Sequence, residues 1–161
     1  MPVIINKKVP AFTASVTGKG TDGDNISLKD LKGSNVVIYF YPKDNTPGCT
    51  QEGQDFRDSY SKFKRAKTMV FGVSRDSIKV HSNFKAKHEF PFELISDPEE
   101  TLCKLFDVIK LKKNYGREYM GIERSTFLID AKGVLREEWR GVKVKGHVDE
   151  VLAASKQHKP E

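Results

Sequence analysis

The sequence predicts an α/β fold in which a mixed central β-sheet is covered by helices on both faces. Residues 36–41 are six consecutive strand formers, and so apolar a strand is typical of a sheet that is covered on both sides. Segments with helix and strand character alternate after it and end in a hairpin followed by a last helix. This order indicates one layered domain, and 161 residues are enough for a single hydrophobic core.

The elements before the central strand are short. Residues 12–17 alternate weakly between apolar and polar side chains and predict an edge strand, which ends in a glycine-rich turn at residues 18–23. A short element begins at residues 26–28, and Leu31 is predicted to lie in one turn of helix.

The elements after the central strand are longer. Asp97, followed by Pro98 and Glu100, is a helix-start signal with Asp97 as the N-cap. Residues 110–121 are polar and dotted with aromatic side chains, so they predict an irregular connection. The remaining predictions are helices at 46–67, 77–89, 97–109 and 147–157, and strands at 69–73, 92–95, 126–129 and 134–139.

The candidate reactive group is Cys49, at the start of the helix that follows the central strand. Pro42 ends that strand because it cannot donate to a β-ladder. Thr46 is then suited to the N-cap and Pro47 to the first helical position, which makes Cys49 the third residue of the helix. A helix N-terminus favours the thiolate form of a cysteine.

Cys49 also lies on the apolar face of this predicted helix. That face is formed at helical spacing by Cys49, Gly53, Phe56, Tyr60 and Phe63. A cysteine on such a face is often only a packing residue. The helix-start position and the Pro-x-x-x-Thr-x-x-Cys spacing favour a half-buried, activated thiol instead.

Composition and charge exclude several other classes of protein. The net charge is +6, but the basic residues are scattered, which favours a solvated basic surface over nucleic-acid binding. No apolar run is long enough for a secretory signal or a membrane span, so neither is predicted. Two cysteines cannot form a disulfide framework, and a reducing, cytoplasmic setting is expected.

Around Cys49 the chain resembles the peroxiredoxins. Pro42, Thr46 and Cys49 match their Pro-x-x-x-Thr/Ser-x-x-Cys signature, and the wording YFYPKDNTPGCT is similar to the bacterioferritin comigratory protein, or peroxiredoxin Q, branch. The likeness runs from about residue 9 to about residue 152. It implies a thioredoxin-like fold over a single domain, in agreement with the order of the predicted elements.

The resemblance also implies an activity and a set of site residues. Cys49 would reduce hydrogen peroxide and organic hydroperoxides and become a sulfenic acid. Thr46 and the backbone N–H groups of Gly48 and Cys49 would donate to the peroxide oxygens, and Pro42 would shield the thiolate. Arg124, just before the strand at 126–129, would supply the cation; by itself it would be taken as a surface residue, and Arg117 is a weaker rival. No cofactor is implied, and the histidines show no metal-ligand spacing with the cysteines.

The chain departs from this branch at the usual second cysteine. Many members carry a resolving cysteine five residues after the first, where this chain has Gln54. The other cysteine, Cys103, is a possible resolving partner, but the pattern favours a cycle in which an external thiol reduces Cys49. The expected partners are thus a peroxide and a thioredoxin, glutaredoxin or small-thiol reductant, and a monomer is expected.

Three functions are weighed against one another. A thiol peroxidase fits the site residues. A thioredoxin-type disulfide reductase needs Cys-x-x-Cys, and residues 50–52 contain no second cysteine. A non-enzymatic thiol sensor or binding module on the same fold stays open, and a peroxide-consumption assay separates it from the peroxidase.

Overall fold

A seven-stranded mixed β-sheet forms the centre of the protein. The computed structural model describes residues 3–18 and 20–161. The strands are β1 Thr13–Gly18, β2 Gly20–Ser27, β3 Asn35–Phe40, β4 Thr68–Ser74, β5 Glu93–Ser96, β6 Ile109–Asn114, β7 Arg117–Ile122, β8 Ser125–Ile129 and β9 Leu135–Arg140. The large sheet has the order β2-β1-β5-β4-β3-β8-β9, and β6 pairs with β7 separately.

Five α-helices accompany the sheet in the described part of the chain. They are α1 Pro47–Asp58, α2 Tyr60–Arg65, α3 Ile78–His88, α4 Thr101–Leu105 and α5 His147–Gln157, and a 3₁₀ turn covers Leu28–Leu31. β3 runs parallel to β4 and antiparallel to β8, so the sheet is mixed as predicted. No described helix has both the length and the apolar character needed to cross a lipid bilayer.

β3 is apolar throughout because both of its faces are covered. Side chains alternate along a strand, so Val36, Ile38 and Phe40 join one hydrophobic cluster. Val37 and Tyr39 join another. The first cluster includes residues of α4, and the second includes residues of α1, α2, α3 and α5. The prediction of helices on both faces is therefore confirmed.

Two predictions at the start of the chain were wrong. The strand predicted at residues 12–17 is not at an edge, because β1 pairs with β2 on one side and β5 on the other. The predicted turn at residues 18–23 is too long, since Gly20 already belongs to β2. Part of that turn, residue 19, lies outside the described residues.

The irregular connection predicted at residues 110–121 is also wrong. Residues 109–122 form a regular β-hairpin in which Asn114 pairs with Arg117 across a two-residue turn. Tyr115 and Gly116, the turn residues, have φ angles of 51° and 77°. Positive φ at both central positions is the geometry that matches the twist of a tight hairpin.

Two predicted helix boundaries need correction. The helix predicted over residues 46–67 is broken at Ser59 into α1 and α2. The helix predicted from Asp97 begins only at Thr101. The Asp97 carboxylate nevertheless accepts hydrogen bonds from the backbone N–H groups of Leu102 and Cys103, at 3.1 and 2.8 Å. It stabilises the helix start as an N-cap would.

Candidate active site

Cys49 lies in the first turn of α1, directly after the C-terminal end of β3. Thr46 is the N-cap, with an extended backbone (φ −96°, ψ 151°), and Pro47 is the first helical residue. The helix start predicted from the sequence is therefore confirmed. Cys49 is 2% exposed and packs in the same cluster as Phe56. The arrangement sets a buried sulfur at the positive end of a helix.

The backbone at this helix start presents two free donors. The first intrahelical hydrogen bond runs from Thr50 N–H to the Thr46 carbonyl, at 2.9 Å. The N–H groups of Gly48 and Cys49 come before it and have no acceptor within the helix. Pro42 is half-buried in the segment between β3 and α1. These groups were all predicted as site residues, and the structure places them within one short segment.

The Thr46 side chain makes a contact that the sequence did not predict. Its hydroxyl does not cap the helix. It donates instead to the carbonyl of Lys43, at 2.8 Å. The Thr46 oxygen can then accept a hydrogen bond from an incoming group, whereas the sequence predicted it as a donor.

Arg124 brings a cation from a distant part of the chain to Cys49. It lies in the two-residue link between β7 and β8, and its side chain is only 16% exposed. Its Nη2 donates to Cys49 Sγ at 3.4 Å. A Cβ added to Gly48 would lie 3.1 Å from the same nitrogen, so glycine gives Arg124 room to cross the helix start. The predicted juxtaposition of Arg124 and Cys49 is confirmed.

Glu52, a site residue that the sequence did not predict, holds the other side of Arg124. Its carboxylate Oε1 accepts from Arg124 Nη1 at 2.6 Å, and its side chain is 0% exposed. Burial raises the pKa of Glu52 to about 7, against the opposing attraction of Arg124. Its Oε2 has no hydrogen-bond partner among the described residues. Glu52 is three residues after Cys49 and therefore lies on the same, apolar face of α1. An acidic residue on that face was the signal by which the sequence could have identified Glu52 as a site residue.

The hairpin that was missed adds a second cation near the site. Lys112, in β6, is close enough to Cys49 and Arg124 for electrostatic interaction with both. Burial lowers the pKa of Lys112, and Arg124 lowers it further, while Cys49 opposes the change. Arg117, the rival cation, is exposed beside the hairpin turn, and no contact of it with Cys49 is found.

Cys103, the possible resolving cysteine, lies on the other face of the sheet. It belongs to the cluster that contains Ile38 and Phe40, whereas Cys49 belongs to the cluster that contains Tyr39. The Cys103 side chain is 0% exposed. Burial raises the pKa of the Cys103 thiol, and Asp97 raises it further by accepting its proton in a hydrogen bond and by its negative charge.

The site combines a buried sulfur, a guanidinium in contact with it and two free backbone donors. Such a set suits nucleophilic attack by a thiolate on a small electrophile whose leaving atom becomes negative. Residues 5–138 match the model of the AhpC/TSA family. The chain belongs to the AhpC/TSA family.

Curated relatives define the branch of this peroxiredoxin. The chain is 53% identical over 156 residues to peroxiredoxin Bcp of Bacillus subtilis (strain 168), and the alignment covers 97% of both chains. It is 50% identical over 151 residues to peroxiredoxin Bcp of Xanthomonas campestris pv. campestris, which covers 94% of both. The predicted Bcp/peroxiredoxin Q branch is confirmed, and the protein is a thiol peroxidase.

Solved structures agree with this assignment. A structure of Xanthomonas campestris peroxiredoxin Q superposes with a TM-score of 0.85 at 50% identity, over 92% of this chain and 91% of that one. A second structure, with a TM-score of 0.85 at 49% identity over 92% of both chains, belongs to work on alkyl peroxide reduction by the Xanthomonas campestris bacterioferritin comigratory protein. The thioredoxin-like fold is confirmed.

Proposed function

We propose that Cys49 is the residue of this peroxiredoxin that reacts with the peroxide, and that it passes through a sulfenic acid. The observation that carries the proposal is the contact of 3.4 Å between Arg124 Nη2 and Cys49 Sγ. A guanidinium stays charged at any working pH and stabilises an adjacent thiolate.

The first step is attack of the Cys49 thiolate on the terminal peroxide oxygen. The S–O bond forms as the O–O bond breaks, so the sulfur is oxidised and the second oxygen leaves with the electron pair. The developing anion is stabilised by Arg124 and by the free N–H groups of Gly48 and Cys49. The terminal oxygen keeps its hydrogen in the sulfenic acid, and solvent returns to the leaving oxygen the proton that Cys49 released on forming the thiolate, which gives water or an alcohol. The Thr46 oxygen accepts a hydrogen bond from the peroxide's own hydroxyl, because the Thr46 hydroxyl already donates to the Lys43 carbonyl.

The proposed substrates are hydrogen peroxide and organic hydroperoxides. Alkyl peroxide reduction by the Xanthomonas campestris protein supports the organic class. The only groups that the proposed step needs are the peroxide bond and its terminal oxygen, which both substrates share. The preference between them is measured by comparing first-turnover rates with hydrogen peroxide and with cumene hydroperoxide.

An external thiol is the proposed reductant of the Cys49 sulfenic acid. Gln54 stands where a local resolving cysteine would be, and Cys103 lies across the sheet from Cys49. Thioredoxin, glutaredoxin or a small thiol would supply the electrons and release the oxygen as water. The cytoplasm is the proposed setting because its thiols are kept reduced, as Cys49 must be between turnovers. A monomer is the proposed state because Cys49 and Arg124 meet within one chain.

The deciding experiment is the intact mass of the protein after one equivalent of peroxide. A gain of one oxygen atom, located at Cys49 by peptide mapping and trapped by dimedone, is the expected result. A loss of two hydrogen atoms, together with a disulfide-linked pair of peptides that contain Cys49 and Cys103, would show that Cys103 and not an external thiol reduces the sulfenic acid. An oxygen located on another residue would remove Cys49 from the proposed role.

A further inference from the structure

His81 on α3 is fully buried and lies between two oxygen atoms. Its Nδ1 is 2.6 Å from Oδ2 of Asp44, and both side chains are 0% exposed. Its Nε2 is 2.9 Å from the backbone carbonyl oxygen of Ile95. Asp44 belongs to the segment between β3 and α1 that carries the active-site residues.

The hydrogen count at these contacts requires one extra proton. A carbonyl oxygen only accepts, so the contact with Ile95 requires a proton on Nε2. A neutral imidazole carries a single N–H, which would leave the Nδ1 lone pair facing an Asp44 carboxylate lone pair at hydrogen-bond distance. Lone pairs at that separation repel, so a second proton must lie between His81 and Asp44.

Other polar groups surround this contact. The other oxygen of Asp44 accepts from the Tyr41 hydroxyl at 2.6 Å. Ligand atoms of Asp44, Asp76 and His81 all lie within 4.8 Å of one another, so a second carboxylate also faces the imidazole ring. The cluster has the residue types of a metal site. However, two ligand atoms that each stand about 2 Å from one ion lie about 3 Å or more from each other, whereas Nδ1 and Oδ2 are 2.6 Å apart, which is hydrogen-bond distance.

The same cluster holds the segment that precedes Cys49. The backbone N–H of Asp44 donates to Asp76 Oδ2 at 2.9 Å. The neighbouring Lys43 carbonyl accepts from the Thr46 hydroxyl. Asn45 has a φ of 64°, a left-handed conformation that costs free energy in a residue other than glycine and persists only when the surroundings fix it. Asp44 is thus tied through both its side chain and its backbone.

We propose that His81 is a positioning residue for the peroxidase reaction, acting through its buried hydrogen bond to Asp44, which fixes the segment 42–46 and which in the wild type contains a shared proton. His81 touches neither Cys49 nor the peroxide. It holds Asp44, which orients the Lys43 carbonyl and hence the Thr46 hydroxyl. The effect on rate rests on the proposed function, whereas the shared proton does not.

The shared proton is tested in the wild-type protein by ¹⁵N-resolved NMR of the His81 ring at neutral pH. Two slowly exchanging ring N–H signals, both lost in His81→Phe, are the expected result. A single slowly exchanging proton, on Nε2, with none between Nδ1 and Asp44, would overturn the proposal. This measurement does not depend on any enzymatic activity.

Two variants of Asp44 separate positioning from general damage to the fold. In Asp44→Asn the amide oxygen accepts from Tyr41 and the amide nitrogen donates to an unprotonated Nδ1, so every hydrogen bond is satisfied without the extra proton. Asp44→Leu has nearly the same shape and can make none of these bonds. We expect Asp44→Asn to show one ring N–H on His81 and a first-turnover rate within about threefold of the wild type. Asp44→Leu should lose at least about tenfold, within the hundredfold that a misplacement of about 1 Å can cost.

His81→Phe should show the same loss as Asp44→Leu, and His88→Phe is its matched control. His88 lies on the same helix and contacts Phe84 and Phe90 without touching Asp44. The expected result is a slower first turnover for His81→Phe alone. Equal rates for the two histidine variants, or equal rates for Asp44→Asn and Asp44→Leu, would overturn the positioning role. Inactivity of Cys49→Ser is the separate check on the proposed function.

Discussion

The two cysteines of this peroxiredoxin are both buried, but their charged neighbours have opposite signs. Cys49 is 2% exposed and Cys103 is 0% exposed. Cys49 receives a hydrogen bond from the Arg124 guanidinium. Cys103 faces the Asp97 carboxylate, which together with burial raises the pKa of its thiol. Each also lies beside the first turn of a helix, so burial and helix position alone do not separate them.

The comparison teaches that the sign of the partner charge decides which thiol can react. A cation stabilises the thiolate that a peroxide needs, and a carboxylate stabilises the protonated thiol. The sheet adds a second distinction by placing the two sulfurs in different hydrophobic clusters. Substitution of the two cysteines and of the charged residues beside them therefore tests this difference in reactivity directly.

The largest expected effect is the loss of activity in Cys49→Ser. The serine hydroxyl is not ionised at neutral pH, so it cannot replace the thiolate as nucleophile. Peroxide consumption should fall to the rate without protein, measured in a stopped-flow assay of the first turnover. Cys103→Ser is the matched control, with an unchanged first turnover expected. Wild-type consumption by Cys49→Ser would refute the assignment of the nucleophile.

Removal of the cation should give the next largest effect. Arg124→Met keeps much of the side-chain volume and loses the donor to Cys49 Sγ. Loss of one preorganised donor costs about 3 kcal/mol of transition-state stabilisation, or roughly a hundredfold in rate. Arg117→Met, on the exposed hairpin, is the control and should react at the wild-type rate. A slow Arg117→Met beside a normal Arg124→Met would reassign the cation.

The sequence predicted the Cys49 half of this contrast because its determinants are local. Pro42, Thr46, Pro47 and Cys49 follow one another at fixed spacing, and each residue type has one favoured place at a strand end or helix start. Arg124 was found only through the family resemblance. Nothing near it in sequence distinguishes it from a surface arginine.

The features that were missed depend on distant partners or unusual turn residues. Glu52 is buried against Arg124, 72 residues further along the chain, so its role could not be read from α1 alone. The β6–β7 hairpin turns at Tyr115-Gly116, where Asn-Gly would have been the recognisable signal. His81 lies within the helix predicted at 77–89, but its partner Asp44 comes from another segment, so their contact could not be predicted from that helix.

Glu52 sharpens the contrast, because it is a carboxylate on the Cys49 side of the sheet. The pKa of Glu52 is raised from 4.5 to about 7. Its stabilising contribution is therefore fully present below pH 4.5 and is lost as the pH rises through 7, where the buried group must ionise. Glutamine does not ionise, so the Glu52→Gln variant does not lose stability in this way as the pH rises. The free energy of unfolding of the variant, relative to the wild type, should rise by roughly 3 kcal/mol between pH 4 and pH 9.

Urea denaturation at several pH values measures this difference directly. The comparison is made in a Cys49→Ser background, so that ionisation of the thiol does not contribute. Parallel pH curves for the two proteins would show that the pKa of Glu52 is the same in the folded and the unfolded state, and so is not raised by burial. In the Cys49 protein, Glu52→Gln should also slow the first turnover, because Arg124 loses the charged half of its support.

The smallest expected effect is that of Cys103→Ser on full turnover with a reductant. A disulfide needs Cα atoms within about 7 Å, and here the β-sheet separates the clusters that hold the two thiols. The raised pKa of Cys103 keeps it as a thiol, which attacks a sulfenic acid poorly. Serine preserves a donor to Asp97, so the start of α4 should keep its structure.

Steady-state turnover with a thioredoxin system should consequently be equal in wild type and Cys103→Ser, with no 49–103 peptide after oxidation. Both cysteines would have to leave their clusters to meet, which requires opening of the first turn of α1 and of the opposite layer together. A large fall in turnover of the mutant, with that disulfide trapped in the wild type, would show that such opening occurs in each cycle. The contrast between the two thiols would then hold only for the resting protein.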